Sequence, residues 1–312
     1  MSVLASVAQV IVVVVLGLVL SGLMAKVRAR AEGRVGAPVL QPVREVLKLW
    51  ARQSPRPSSA SAFFALAPRL NLLVALAAAG LVPSLTTRAS SASSADALVV
   101  VFLLLTGTLV SALAGLDTAT AFGGMGASRA VTLSALSEPA LLVGLAAFAV
   151  PGGSLNLAIL VARSGASPSS LASPAHVLAG LGLLVIVLAE AGRLPVDNPS
   201  THLELTMIHE AMVLEYGGRD LALVKLGAAT RLGVLVSLLG VLVVPWGVAH
   251  TWSPAALAGA LGLAVAKALV VGLGIALIEV HSAKLRLFRV PELLAGAFVL
   301  GALGVMAALV VR

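Results

Sequence analysis

Long runs almost free of charge constrain this chain more than any other feature. Eight apolar stretches, at about 3–24, 70–86, 97–116, 131–150, 175–190, 228–246, 255–278 and 293–311, approach the length needed to cross a bilayer. About 20 residues at 1.5 Å each span a hydrocarbon core of about 30 Å. That core offers the backbone no water, so each stretch must satisfy its own N–H and C=O groups as a helix. A barrel would show short alternating strands instead. With 59% hydrophobic and 11% charged residues, the chain has too little polar surface for a soluble domain. The prediction is an all-α, polytopic integral membrane protein of about eight transmembrane helices, a single membrane domain over residues 1–312. Its first stretch lacks a basic leader and exceeds the length of a signal peptide's apolar region, so it reads as a retained span.

Lysine and arginine set the expected orientation. With the N-terminus outside, 17 of the 21 Lys and Arg fall in inside segments. Arg88, Arg163 and Arg312 fall outside, and Lys267 lies within a span. Both termini are then outside, and the cytoplasmic segments run at about 25–69, 117–130, 190–227 and 279–292. The net charge of +8 is accounted for by these loops, so no nucleic-acid partner is expected. The absence of cysteine excludes thiolate-held iron–sulfur clusters and disulfides in this chain. There is no phosphate loop and no hydrolytic triad, and His176, His250 and His281 stand alone. Any redox cofactor would lie elsewhere. Residues 151–170 hold a short apolar piece that reads as a half-helix at the interface.

Three constellations carry possible chemistry. In "VLQPVREVLKLW", Val43, Val46, Leu47 and Trp50 follow i, i+3, i+4, i+7 spacing, with Arg44, Glu45, Lys48 and Arg52 on other faces. This predicts an amphipathic surface helix after the first span, lying either on lipid headgroups or beneath a cytoplasmic partner.

The second is "AEAGRLPVDNPSTHLELTMIHEAMVLEY", residues 189–216, where the chain concentrates its scarce acids. Asn198 before Pro199 has the form of an N-cap with proline at N1, predicting a helix over about 199–216. Glu204 and Glu215 would share one face of it, and His202 and His209 another. Thr201 and Glu204 also fit a capping box, which would make Glu204 structural. The two histidines read as hydrogen-bonding groups rather than metal ligands, and Glu190 and Arg193 at i, i+3 fit a simple ion pair.

The third is the set of ionisable groups at membrane depth. Glu138, followed by Pro139, lies two turns into the fourth stretch. Lys267 lies near the middle of the seventh. Glu190 and Glu279 close the cytoplasmic ends of the fifth and seventh. Each such charge costs about 3 kcal/mol in lipid and must face protein or water. They read either as proton-handling groups or as structural pairs, for instance Lys267 with a glutamate.

These segments also carry a resemblance. "EAGRLPVDNPSTHLELTMIHEAMVLEYGGRDLALV" (190–224) resembles the main cytoplasmic loop of the respiratory complex I subunit 1 family. The likeness is greatest to its hydrogenase branch, typified by hydrogenase-4 component C and formate hydrogenlyase subunit 4. "GRVGAPVLQPVREVLKL" (33–49) resembles the family's first loop, and "HSAKLRLFRVPELL" (281–294) the last loop of the hydrogenase branch. Quinone-type sequences carry two further acids after the motif aspartate, where this chain has Ser200 and His202. The first loop also lacks a second Gly-Pro pair. Both departures favour the hydrogenase branch.

The resemblance implies an eight-span subunit of a bacterial or archaeal cytoplasmic membrane, at the junction of a soluble redox arm and a membrane arm. By position, Glu138, Glu190, Arg193, Asp197, Glu204 and Glu215 match family positions in a proton or coupling pathway, which Lys267 and Glu279 would extend. Arg34, Gln41, Arg44, Lys48, His202, His209, Arg286 and Arg289 would meet partner subunits. The implied partners are hydrogenase-like large and small subunits, an iron–sulfur subunit and antiporter-like membrane subunits. Iron–sulfur clusters and a nickel–iron centre would reside in those partners, with no cofactor bound by this chain. The expected role is membrane anchor and coupling subunit of a formate hydrogenlyase-type, group 4 [NiFe]-hydrogenase-like complex. The alternatives are the quinone-site subunit of an NADH–quinone oxidoreductase and a stand-alone ion transporter.

Overall fold

A computed structural model describes residues 2–166, 171–197, 207–283 and 285–310. Each of the eight apolar stretches forms a helix. They are α1 (Ser2–Ala31), α3 (Ala62–Leu81), α4 (Ala97–Asp117), α5 (Ala121–Gly152), α7 (Pro174–Glu190), α8 (Gly218–Val243), α9 (Pro254–His281) and α10 (Val290–Val310). Among the described residues, seven are long and apolar enough to cross a membrane, and α7, at 17 residues, is shorter. At 1.5 Å per residue α7 reaches about 25 Å, slightly less than a hydrocarbon core. The surface helix is α2 (Gln41–Trp50) and the half-helix is α6 (Leu157–Ala166).

Helix starts follow local chemistry. Asp96, Thr120, Ser173 and Ser253 accept hydrogen bonds from backbone N–H groups in the first turns of α4, α5, α7 and α9. Each satisfies a donor that the helix itself cannot. Pro174 and Pro254 occupy the opening positions, where no N–H is needed.

α8 is the hub, with Val234, Leu235 and Leu238 fully enclosed among its neighbours. Its crossing with α1 is very close. A Cβ added at Gly17 would fall 1.9 Å from the Ala229 carbonyl oxygen, and one at Gly233 would fall 2.3 Å from that of Val13. Helices without a solvent-driven hydrophobic force pack through such small residues. α5 and α7 pack with α10 on the other side.

The segment after α7 departs from expectation. Residues 198–206, with Glu204, His202 and the proposed caps at Asn198 and Thr201, lie outside the described residues. Over 207–216 the chain forms turns and a single 3-10 turn at Glu210–Met212, not an α-helix. The reason is tertiary. Ile208 and Met212 bury against Ala112, Ala127 and Ala130 of α4 and α5. Tyr216 stacks instead on Phe64 of α3, with ring centroids 4.0 Å apart. Packing on these separate neighbours overrides the weak preference for a helix.

Candidate functional site

The end of α7 meets the middles of α5 and α8, and three charged groups come together there. Glu190, the last residue of α7, accepts a hydrogen bond from Arg231 of α8 and another from the Ser137 hydroxyl of α5. Next to Ser137, Glu138 accepts from Ser134 at 2.9 Å. The other Arg231 amino group donates to the Leu104 carbonyl of α4 at 3.0 Å, while its buried Nε finds no partner among the described residues. α4 and α7 therefore meet the guanidinium of α8 directly, and α5 joins through Glu190. An enclosed pair of this kind offsets the desolvation of its members only because both charges are present and hydrogen-bonded.

A second layer ties the loop after α7 over this cluster. Arg193 reaches Glu279 of α9 at 3.6 Å, and the Glu279 carboxylate is 1% exposed. Burial lowers the Arg193 pKa from its usual value; Glu279 opposes the shift and Arg28 adds to it. Asp197, also buried, accepts from the backbone N–H of His209 and pairs with its Nδ1, both at 3.1 Å. Gly192 makes the turn possible. Its φ is +59°, and a Cβ there would lie 2.9 Å from His209 Nδ1. Leu285 N–H donates to the Pro195 carbonyl at 2.9 Å, joining the last loop to the same segment.

Two cavities meet at the cluster. One of about 20 Å³ lies among Ser134, Ser137, Glu190, Ile208 and Arg231, enough for about one water. The other, of 330 Å³, extends between α1, α2 and α8 and is lined by Ser21, Glu45, Val46, Arg193, Asp197, Glu210 and Lys225. Glu190, His209 and Arg231 line both and so separate them. Across the larger cavity Lys225 donates to Glu45 at 2.7 Å, fastening α2 to α8.

The expected residues divide among several places. Glu138, Glu190, Arg193, Asp197 and Glu279 gather at this seam, with the half-exposed His209 paired to Asp197. Glu190 and Arg193 do not pair with each other. The chain turns at Ala191 and Gly192, so the helical i, i+3 geometry ends and each finds a different partner. Glu215 is part-buried beside Tyr216 and lines neither cavity. Lys267 lines a separate groove between α7, α8 and α9, where its ammonium donates to the Trp246 carbonyl rather than to a glutamate. Arg34, Gln41, Arg44, Lys48, Arg286 and Arg289 are exposed. Between the last two, Phe288 is 90% exposed.

Arg231 is the residue that sequence reasoning placed only among the inside-loop cations. Its signal was its position inside the apolar run 228–246, where a charge needs a partner. Among the described residues no group of three or more His, Cys, Asp or Glu is placed to hold a metal ion.

Fold and site together define a multi-pass membrane subunit with an enclosed ionisable cluster beneath a folded loop. The family model for NADH dehydrogenase matches residues 4–310, and the chain belongs to that family, the complex I subunit 1-like proteins. It is 33% identical to formate hydrogenlyase subunit 4 of Escherichia coli (strain K12) over 293 residues, 94% of each chain. It is 31% identical to hydrogenase-4 component C of the same organism over 264 residues, 85% of this chain and 82% of the relative. Its fold matches a chain in the structure of the membrane-bound sulfane sulfur reductase, an archaeal respiratory membrane complex. The TM-score is 0.85 at 19% identity, covering 98% of both chains.

Proposed function

We propose that this chain is the membrane anchor and coupling subunit of a complex I-related, formate hydrogenlyase-type hydrogenase complex, oriented with both termini outside. In this reading, electron transfer in a soluble arm above the loop is linked to translocation of protons or sodium ions. The observation that carries it is the Glu190–Arg231–Ser137 cluster. It lies directly beneath the loop held by Arg193–Glu279 and Asp197–His209. A shift of that loop changes the field at Glu190, and a change in charge at Glu190 pulls on the loop through its neighbours, as linkage requires. Relatives of the hydrogenase type and the extensive match to them support the assignment of the complex. The clusters and the nickel–iron centre would belong to soluble partners, and antiporter-like subunits would continue the path in the membrane.

The test is Glu190→Gln in the native complex. Hydrogen chemistry measured with a soluble redox dye should persist while ion translocation in sealed vesicles is lost. Unchanged translocation would remove Glu190 from the path.

The 330 Å³ cavity favours a second reading, a quinone-site subunit, because apolar walls from α1 and α2 lead to polar groups at Asp197 and His209. Saturable binding of a quinone analogue to the purified complex, abolished by a bulky side chain at Ala228, would select it.

A further inference from the structure

The groove between α7, α8 and α9 has no part in the seam just described. It encloses 650 Å³ and is walled almost wholly by apolar side chains, among them Leu181, Leu184 and Val271. Its titratable lining groups are His176 and Lys267. His176 is already committed: its Nε2 meets the Val243 carbonyl at 3.0 Å and its ring packs edge-on with Phe148. Lys267 is not. Its ammonium has three N–H donors, and the Trp246 carbonyl accepts from one. Among the described residues, no carboxylate lines the groove.

Depth sharpens the mismatch. Lys267 stands near the midpoint of α9, about 20 Å along the axis from either end. An uncompensated cation in mid-membrane disfavours insertion roughly a hundredfold. A lipid phosphate resides at headgroup level, whereas a side chain on a crossing helix reaches mid-membrane. The wall also suits a helix. Val270 is 71% exposed, and a Cβ added at Gly274 would meet nothing within 4 Å. A second backbone can approach such a surface closely.

We propose that this groove seats a transmembrane helix of a neighbouring membrane subunit, and that a carboxylate midway along that helix pairs with Lys267. The inference rests on the chain belonging to a multi-subunit membrane assembly, and does not depend on the role given to Glu190.

The experiment treats the native complex, in its membrane, with dicyclohexylcarbodiimide. The reagent activates a membrane-embedded carboxylate, the Lys267 amine displaces the urea, and an amide joins the two chains. Mass spectrometry should find the Lys267 peptide linked to a peptide from a span of another subunit, and should lose that link in Lys267→Met. The neighbouring subunit should co-purify at least about tenfold less with Lys267→Met and within about twofold of normal with Lys267→Arg. Full retention of every membrane subunit in Lys267→Met, with no amide in the unaltered complex, would overturn the proposal. So would a stoichiometric anionic phospholipid that is lost in Lys267→Met, since the groove would then belong to lipid. Either result would leave ion translocation in Glu190→Gln still to be measured, so the two readings fail separately.

Discussion

Glu190 at the end of α7 and Arg231 at the middle of α8 close on one another, 41 residues apart in sequence, and Ser137 of α5 completes the contact. Removing one member of an enclosed pair leaves the other as an uncompensated charge, at a cost of about 3–5 kcal/mol. Arg231→Met should therefore lower the unfolding temperature of the solubilised complex, while Arg231→Met combined with Glu190→Gln should recover much of the loss. Thermal unfolding of the single and double variants measures this directly. Equal losses in both would show that the pair is not the source.

The Lys225–Glu45 contact is half-exposed and should behave differently. Such pairs contribute about 0–1 kcal/mol. Lys225→Met should hardly change stability, yet it should increase protease access to the linker after α2, because the contact fastens α2 to α8. Limited proteolysis of the two forms gives the comparison.

Gly192 should tolerate no side chain. Its positive φ and the 2.9 Å approach to His209 Nδ1 both penalise a Cβ. Gly192→Ala should cost about 1–3 kcal/mol and displace His209 from Asp197. Lower thermal stability together with weaker retention of the proposed soluble arm would register both effects.

Tyr216 compensates a proline. Pro68 lies inside α3 and has no N–H to give the Phe64 carbonyl four residues earlier; the Tyr216 hydroxyl donates to that oxygen at 2.9 Å. Tyr216→Phe should cost about 1–3 kcal/mol by leaving the carbonyl unpaired. Burial, with smaller contributions from Asp220 and Asp117, raises the phenol pKa above its usual 10.0. The folded state thus retains a proton that the unfolded state releases. This contribution to stability is complete below pH 10 and is lost as pH climbs from there toward the folded value. An ultraviolet titration should show phenolate from this side chain, the chain's single tyrosine, only as unfolding begins.

The sequence by itself determined that each of the eight apolar stretches forms a helix, and it placed the surface helix after the first. Length, apolar content and capping residues act locally, and a bilayer leaves an apolar run no other structure. It also singled out Glu138, Glu190, Lys267 and Glu279 as groups that need partners. Only the tertiary structure decided which partners. Arg193 would have met Glu190 had the helix continued; the turn at Gly192 sends it to Glu279 and leaves Glu190 to Arg231. The 207–216 segment likewise lost its expected helix because Ile208 and Tyr216 bury against different neighbours. Pairings among residues 137, 190 and 231, or 193 and 279, depend on how whole helices cross, and no local pattern encodes a crossing.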